Sequence, residues 1–246
     1  MSAASKRRAY IRAVTLDRAR KRLIAVWERR VVAAMQEHVA RPTALTRQKL
    51  ARARAMKKHR VRLHDLSHRA MKNKRRAYFK AKTLAARDRA ITWATQQVGT
   101  TEATGNNDGA KILSWQRATA RGEKYLDRAP YCGIGCENAC RRAGVHTTSR
   151  WAAVAFIEDD ARRGGGGFTA WTRDPARVKP GDLVVMYGRG VHVEIVRRIK
   201  AGVVYTVGFN TSPGITGSQS NGGGVYLRAR PMSIVHGFAL VDYPRS

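Results

Sequence analysis

Tyr131-Cys-Gly-Ile-Gly-Cys-Glu-Asn-Ala-Cys-Arg-Arg-Ala-Gly-Val145 is the stretch on which the fold turns. Pro130 fixes the approach, and Gly144 stops a helix that begins just before or at Cys132. A cysteine at a helix N-terminus feels the partial positive charge of unpaired backbone N–H groups, which stabilises a thiolate. Cys132 is thereby placed as a nucleophile. Cys136 and Cys140 follow at four-residue steps on the same stripe, where they read as buried small apolar side chains. A metal site made from the three would need four ligands from a stripe that supplies two at once, and a disulfide across one helical turn is geometrically poor. Since all three cysteines lie between 132 and 140, no disulfide can staple distant parts of the chain, and at least one thiol stays free.

A thiolate nucleophile needs an imidazole brought close in space. Downstream, Lys179-Pro180-Gly181-Asp182 reads as a turn, followed by an apolar strand Leu183 to Tyr187, a Gly188-Arg189-Gly190 turn and a second strand Val191 to Val196. Period two puts His192 and Glu194 on one face and Val191, Val193 and Ile195 on the other. A lone strand histidine is more often structural than catalytic, so its context decides. A third strand, Gly202 to Asn210, ends in an asparagine able to fix an imidazole tautomer, although such a residue is usually part of a turn. Gly164 to Gly167 reads as a flexible surface loop, either bordering a substrate groove or serving as a linker.

The N-terminal third has a different composition. Residues 1–90 hold 28 of the 48 Lys and Arg and 5 of the 17 acidic residues, a formal +23 of the total +31, and no glycine precedes Gly99. Two architectures are therefore expected, a basic helical region over 1–88 and a second domain over 89–246 whose 43% apolar chain-wide composition suffices for a core. Leu23, Trp27, Val31, Met35 and Val39 step by four, which predicts one amphipathic helix from Ala3 to Ala40. Arg41-Pro42-Thr43 breaks it, and a second helix runs from Ala44 towards Arg89, the two forming a helical hairpin or part of a coiled coil. So one-sided a charge favours contact with a polyanion over simple solubility: an anionic cell-envelope polymer, a membrane surface or nucleic acid. Sparse aromatic residues weigh against a platform for stacking single-stranded bases. His64 and His68 stand four apart as paired metal ligands would, but Asp65 rather than Glu follows His64 and no third ligand is evident, so a solvated helix face is expected. Neither a signal peptide nor a membrane-spanning apolar run is found, which implies synthesis in the cytoplasm and release or carriage by other means.

Taken in order, several pieces resemble one family. Gln97-Val-Gly-Thr-Thr-Glu102, then Pro130-Tyr-Cys132 with Ala143-Gly-Val145, then Pro180-Gly-Asp-Leu-Val184 with His192-Val-Glu-Ile-Val196, resemble a CHAP domain, the cysteine- and histidine-dependent amidohydrolase/peptidase family common in phage endolysins. Gly208-Phe-Asn-Thr-Ser-Pro213, Gly217-Ser-Gln-Ser-Asn-Gly-Gly-Gly-Val-Tyr226 and Gly237-Phe-Ala-Leu-Val241 resemble its closing strands, so the likeness spans about Ala90 to Pro244. The resemblance implies an α+β, papain-like fold with a helix packed on an antiparallel sheet. It also implies hydrolysis of amide bonds in bacterial peptidoglycan, by an amidase or endopeptidase with Cys132 as nucleophile, His192 as base and Asn210 as orienting residue. Tyr131, Glu194 and Trp171 are expected to touch substrate. Many members carry a Glu two residues before that Asn; here Gly208 stands there, so an acidic participant is missing unless Glu194 substitutes. Asn106-Asn107-Asp108-Gly109 only partly resembles the calcium loop of some phage members, and no metal or other cofactor is expected. The resulting expectation is a phage lysin that reaches the wall after holin-type release or virion delivery. The rival is a non-catalytic virion or nucleic-acid-binding protein that works through its basic helices.

Overall fold

A computed structural model describes residues 2–214, 218 and 222–244. The expected closing-strand segment from Gly217 lies partly outside the described residues. Among these the protein is α+β, with five α-helices and one six-stranded antiparallel sheet. The chain divides into two compact units, one up to Lys82 and one over Thr83–Arg245. No described helix is long and apolar enough to cross a membrane.

The N-terminal unit contains α1 (Ala3–Ala40) and the first part of α2 (Ala44–Gln96). Ser2 caps α1 by accepting from the Ser5 N–H, and Thr43 accepts from the Thr46 N–H while the Thr46 hydroxyl donates to the Arg41 carbonyl, so hydroxyls satisfy backbone groups at the break. Contacts between the helices run in opposite directions along the chain. Tyr10 stacks on Tyr78, Arg20 donates to the Leu63 carbonyl, Lys57 pairs with Glu28 and Lys49 with Glu37. That order makes an antiparallel hairpin. The expected apolar stripe is not its seam: Leu23, Met35 and Val39 are exposed, and the apolar residues most deeply buried in the hairpin are Ala13, Leu50 and Ala53. Two helices meet along one line, which cannot cover a broad apolar face.

In the C-terminal unit the last turns of α2 bring Ala86, Ala90 and Ala94 into the core, which is why the helix continues past Arg89. There follow α3 (Ala110–Thr119), α4 (Cys132–Arg142), α5 (Val154–Arg163) and strands β1 (Phe168–Thr172), β2 (Leu183–Met186), β3 (His192–Lys200), β4 (Val203–Thr211), β5 (Gly224–Pro231) and β6 (Val235–Val241). The strand order is β1-β6-β2-β3-β4-β5. Leu183, Val185, Val193, Ile195, Val207 and Phe209 share the main core with Ile134, Cys136 and Cys140 of α4; Val184, Met186, Val196, Val204 and Phe238 form a second cluster. Alternation along the strands produces this division.

Two local features fix α4 on the sheet. A Cβ at Gly135 would overlap the Phe209 ring, and one at Gly133 would overlap the Trp151 carbonyl, so only glycine lets the helix approach so closely. In the Pro180-Gly181-Asp182 turn the buried Asp182 accepts from the Lys179 and Val241 N–H groups and from Arg87, tying α2, β2 and β6 together. The Gly164–Gly167 segment is a packed turn rather than a loose loop, since the Gly166 carbonyl accepts from Trp151 Nε1 and the Gly167 carbonyl from the Asp242 N–H.

Candidate active site

Cys132 opens α4 and His192 opens β3. Cys132 is among the groups whose interaction raises the His192 pKa, which puts the thiol in the neighbourhood of the ring. The imidazole Nε2 is 3.1 Å from Glu194 Oε1, while Nδ1 is buried and has no hydrogen-bond partner among the described residues. Burial opposes charge on the ring, yet Cys132 and Glu194 outweigh it and lift the His192 pKa from 6.5 to about 9.

Glu194 is fully buried, and its charge is compensated on three sides. Arg230 on β5 approaches with Nε at 3.2 and 3.1 Å from the two carboxylate oxygens and with Nη2 bonded to Oε1. The Thr206 hydroxyl of β4 donates to Oε2. Burial pushes the Glu194 pKa upward, but the bonds to His192 and Arg230 prevail and bring it down to about 2. Arg230 is itself braced by the Thr211 hydroxyl at 3.0 Å. The result is a buried chain running Cys132, His192, Glu194, Arg230.

Gly208 explains why that carboxylate comes from β3. Residues 194 and 208 are direct cross-strand partners, and a Cβ at 208 would lie 2.7 Å from the Glu194 carboxyl carbon. An acidic side chain on β3 therefore fills the space in front of β4, and only glycine opposite leaves room for it.

Several expected roles need correction. Asn210 is fully buried in a bulge of β4 with φ 54, but the imidazole Nε2 is held by Glu194, which reaches it from the same strand. Glu194 was expected on the substrate side; it lies behind the ring and orients it. Tyr131 is fully buried against Trp115 with its hydroxyl towards Glu102, a setting that raises its pKa through burial and that carboxylate, so it supports the start of α4 instead of lining a groove. Trp171 stands on β1, with β6 and β2 between it and β3, against His236 and Arg162. Cys136 and Cys140 are fully buried, and burial raises both thiol pKa values, that of Cys140 to about 12. The Asp108 carboxylate is occupied by the Thr104 N–H and hydroxyl at 2.9 and 2.6 Å, a closed turn within the expected loop.

Arg230 and Thr206 were not foreseen as part of the site. The signal in the sequence is faint: an arginine in a strand where its alternate neighbours are polar reads as a solvent-facing residue. Cys132 is only 3% exposed and His192 not at all, so the pair is closed to solvent in this conformation. No family model, curated protein or solved structure matches the chain.

Proposed function

We propose that the C-terminal unit is a papain-like, CHAP-type peptidoglycan hydrolase that cleaves a wall-peptide amide through a thioester on Cys132. The observation that carries this reading is a thiol at a helix start beside an imidazole whose far nitrogen is held by a buried, arginine-backed carboxylate. Nucleophile, base and orienting group in that order are what acyl transfer requires.

His192 takes the thiol proton through Nδ1 while Glu194 holds Nε2–H, so the ring keeps one tautomer and one orientation. The sulfur adds to the scissile carbonyl carbon. The oxyanion is met by first-turn N–H groups of α4, which have no intrahelical acceptor. His192 returns the proton to the leaving amine, the C–N bond breaks and the thioester remains. Water activated by the same imidazole then releases the acid and restores the thiol. The raised His192 pKa, about 9, favours the ring's keeping the proton taken from the thiol until the amine leaves.

The wall is favoured as substrate because the N-terminal unit is strongly cationic and bacterial walls carry anionic polymers, which concentrates the enzyme on its target. The burial of Cys132 favours a second reading, a binding protein whose hydrolase-like unit is silent. Zymography in gels containing purified wall separates the two. Clearing by the wild type and none by Cys132→Ser is expected of the enzyme; clearing by neither protein, or equally by both, refutes this mechanism.

A further inference from the structure

His64 and His68, four residues apart on α2, meet a residue from the other arm of the hairpin. Asp17 of α1 lies 3.5 Å from His64 Nε2 and 3.4 Å from His68 Nδ1 when measured to Oδ1, and its Oδ2 is 3.5 Å from the same His68 nitrogen. One ligand atom from each of the three residues falls within 4.8 Å of the others. The two imidazoles are stacked at 5.8 Å.

Those distances are too long for charge-assisted hydrogen bonds, which settle at about 2.7–2.9 Å. They match a different geometry. Ligand atoms bound at about 2.0–2.1 Å to a tetrahedral ion stand about 3.4 Å from one another. Asp17 Oδ1 is also buried and lacks a hydrogen bond of full geometry, although 28 Lys and Arg lie within the first 90 residues. Arg20, one turn along from Asp17, donates to the Leu63 carbonyl. The second nitrogen of His64, Nδ1, is 3.5 Å from Asp65 Oδ1, the kind of outer carboxylate that commonly orients a ligating imidazole.

We propose that Asp17, His64 and His68 form a site for one divalent transition-metal ion of the zinc type, which clasps the two arms of the N-terminal hairpin. Imidazole nitrogens and a carboxylate suit such an ion, and three protein ligands leave a fourth position for water. The surrounding cationic surface repels a dication, so the ligands must be close and preformed, and salt reduces the opposition. In an 82-residue unit with few buried apolar side chains, a cross-link between helices also adds stability that packing does not supply.

The test uses the full chain carrying Cys132→Ala, to remove the candidate catalytic thiol as a ligand, stripped with chelator and titrated with Zn²⁺ and Co²⁺ alone at neutral pH and physiological ionic strength. Calorimetry is expected to show one equivalent per chain, and Co²⁺ to give the visible absorption of a tetrahedral site. Asp17→Asn, His64→Gln and His68→Gln should each weaken binding by at least about tenfold with helicity by circular dichroism unchanged; the exposed His59→Gln should bind as the parent does. Because His68 is 41% exposed, its substitution leaves packing intact and carries the test even if another variant unfolds. No binding by the parent, or parental affinity in Asp17→Asn or His68→Gln, overturns the proposal.

Discussion

Glu194→Gln is the substitution that most sharply probes the buried chain behind the imidazole. The rise of the His192 pKa from 6.5 to about 9 corresponds to about 3 kcal/mol of preference for the charged ring, produced jointly by Cys132 and Glu194 against burial. A neutral amide removes the Glu194 share, so the alkaline limit of His192 should fall by about one pH unit or more. The same change strips the counter-charge from Arg230, whose side chain is only 4% exposed. Loss of one partner from a buried pair costs about 3–5 kcal/mol, or roughly 6–20 °C in Tm for a domain of this size. The assay is the pH dependence of Cys132 alkylation by iodoacetamide, followed by intact-protein mass spectrometry beside a thermal melt. Glu194→Gln combined with Arg230→Met removes both charges; it should recover part of the stability while leaving the pH limit displaced. An unchanged pH profile in Glu194→Gln would refute the orienting role of Glu194.

The same groups bound the pH range of stability. Depression of Glu194 gives stability that is complete above its ordinary 4.5 and lost as pH falls towards 2, and elevation of His192 gives stability that is complete below 6.5 and lost as pH rises through about 9. Thermal melts should therefore peak between pH 4.5 and 6.5 and decline on both sides. Gly135→Ala should lower stability by about 1–3 kcal/mol, read from denaturant melts, because its Cβ overlaps the Phe209 ring. Gly208→Ala should reduce wall lysis more than its loss of Tm accounts for, since the new methyl displaces the Glu194 carboxylate. Exchanging the exposed Arg7, Arg8, Arg12 and Arg18 for Gln should weaken binding to purified wall and flatten its salt dependence by up to about 0.9 in the log–log slope for each contact removed; an unchanged slope would sever the N-terminal charge from wall binding.

Local elements were legible because local signals make them. The Arg41-Pro42-Thr43 break and a helix-period pattern mark Ala3–Ala40 and the start at Ala44, and the turn before Leu183 and the pair of glycines before β3 mark the histidine hairpin. α2 runs seven residues beyond Arg89, because Ala90 and Ala94 are buried by tertiary packing and no local stop signal occurs before Gly99. Cys132 and His192 could be paired in advance through the resemblance, but the orienting group could not. Choosing Glu194 over Asn210 requires knowing that Gly208 stands opposite it and that Arg230 arrives from β5. Strand order, which isolates Trp171 on β1, is likewise a non-local property. The Asp17 cluster was hidden for the same reason: its members are 47 and 51 residues apart and meet only when the hairpin closes.

Trapping the acyl-enzyme tests the catalytic proposal most directly. The protein is mixed with soluble wall fragments, quenched in acid within the first turnover and digested, and the peptide containing Cys132 is examined by mass spectrometry. A thioester adduct of wall-peptide mass on Cys132, present in the wild type and absent in His192→Ala, is the expected result. Cleavage of wall fragments with the adduct on another residue, or full activity without Cys132, would contradict it.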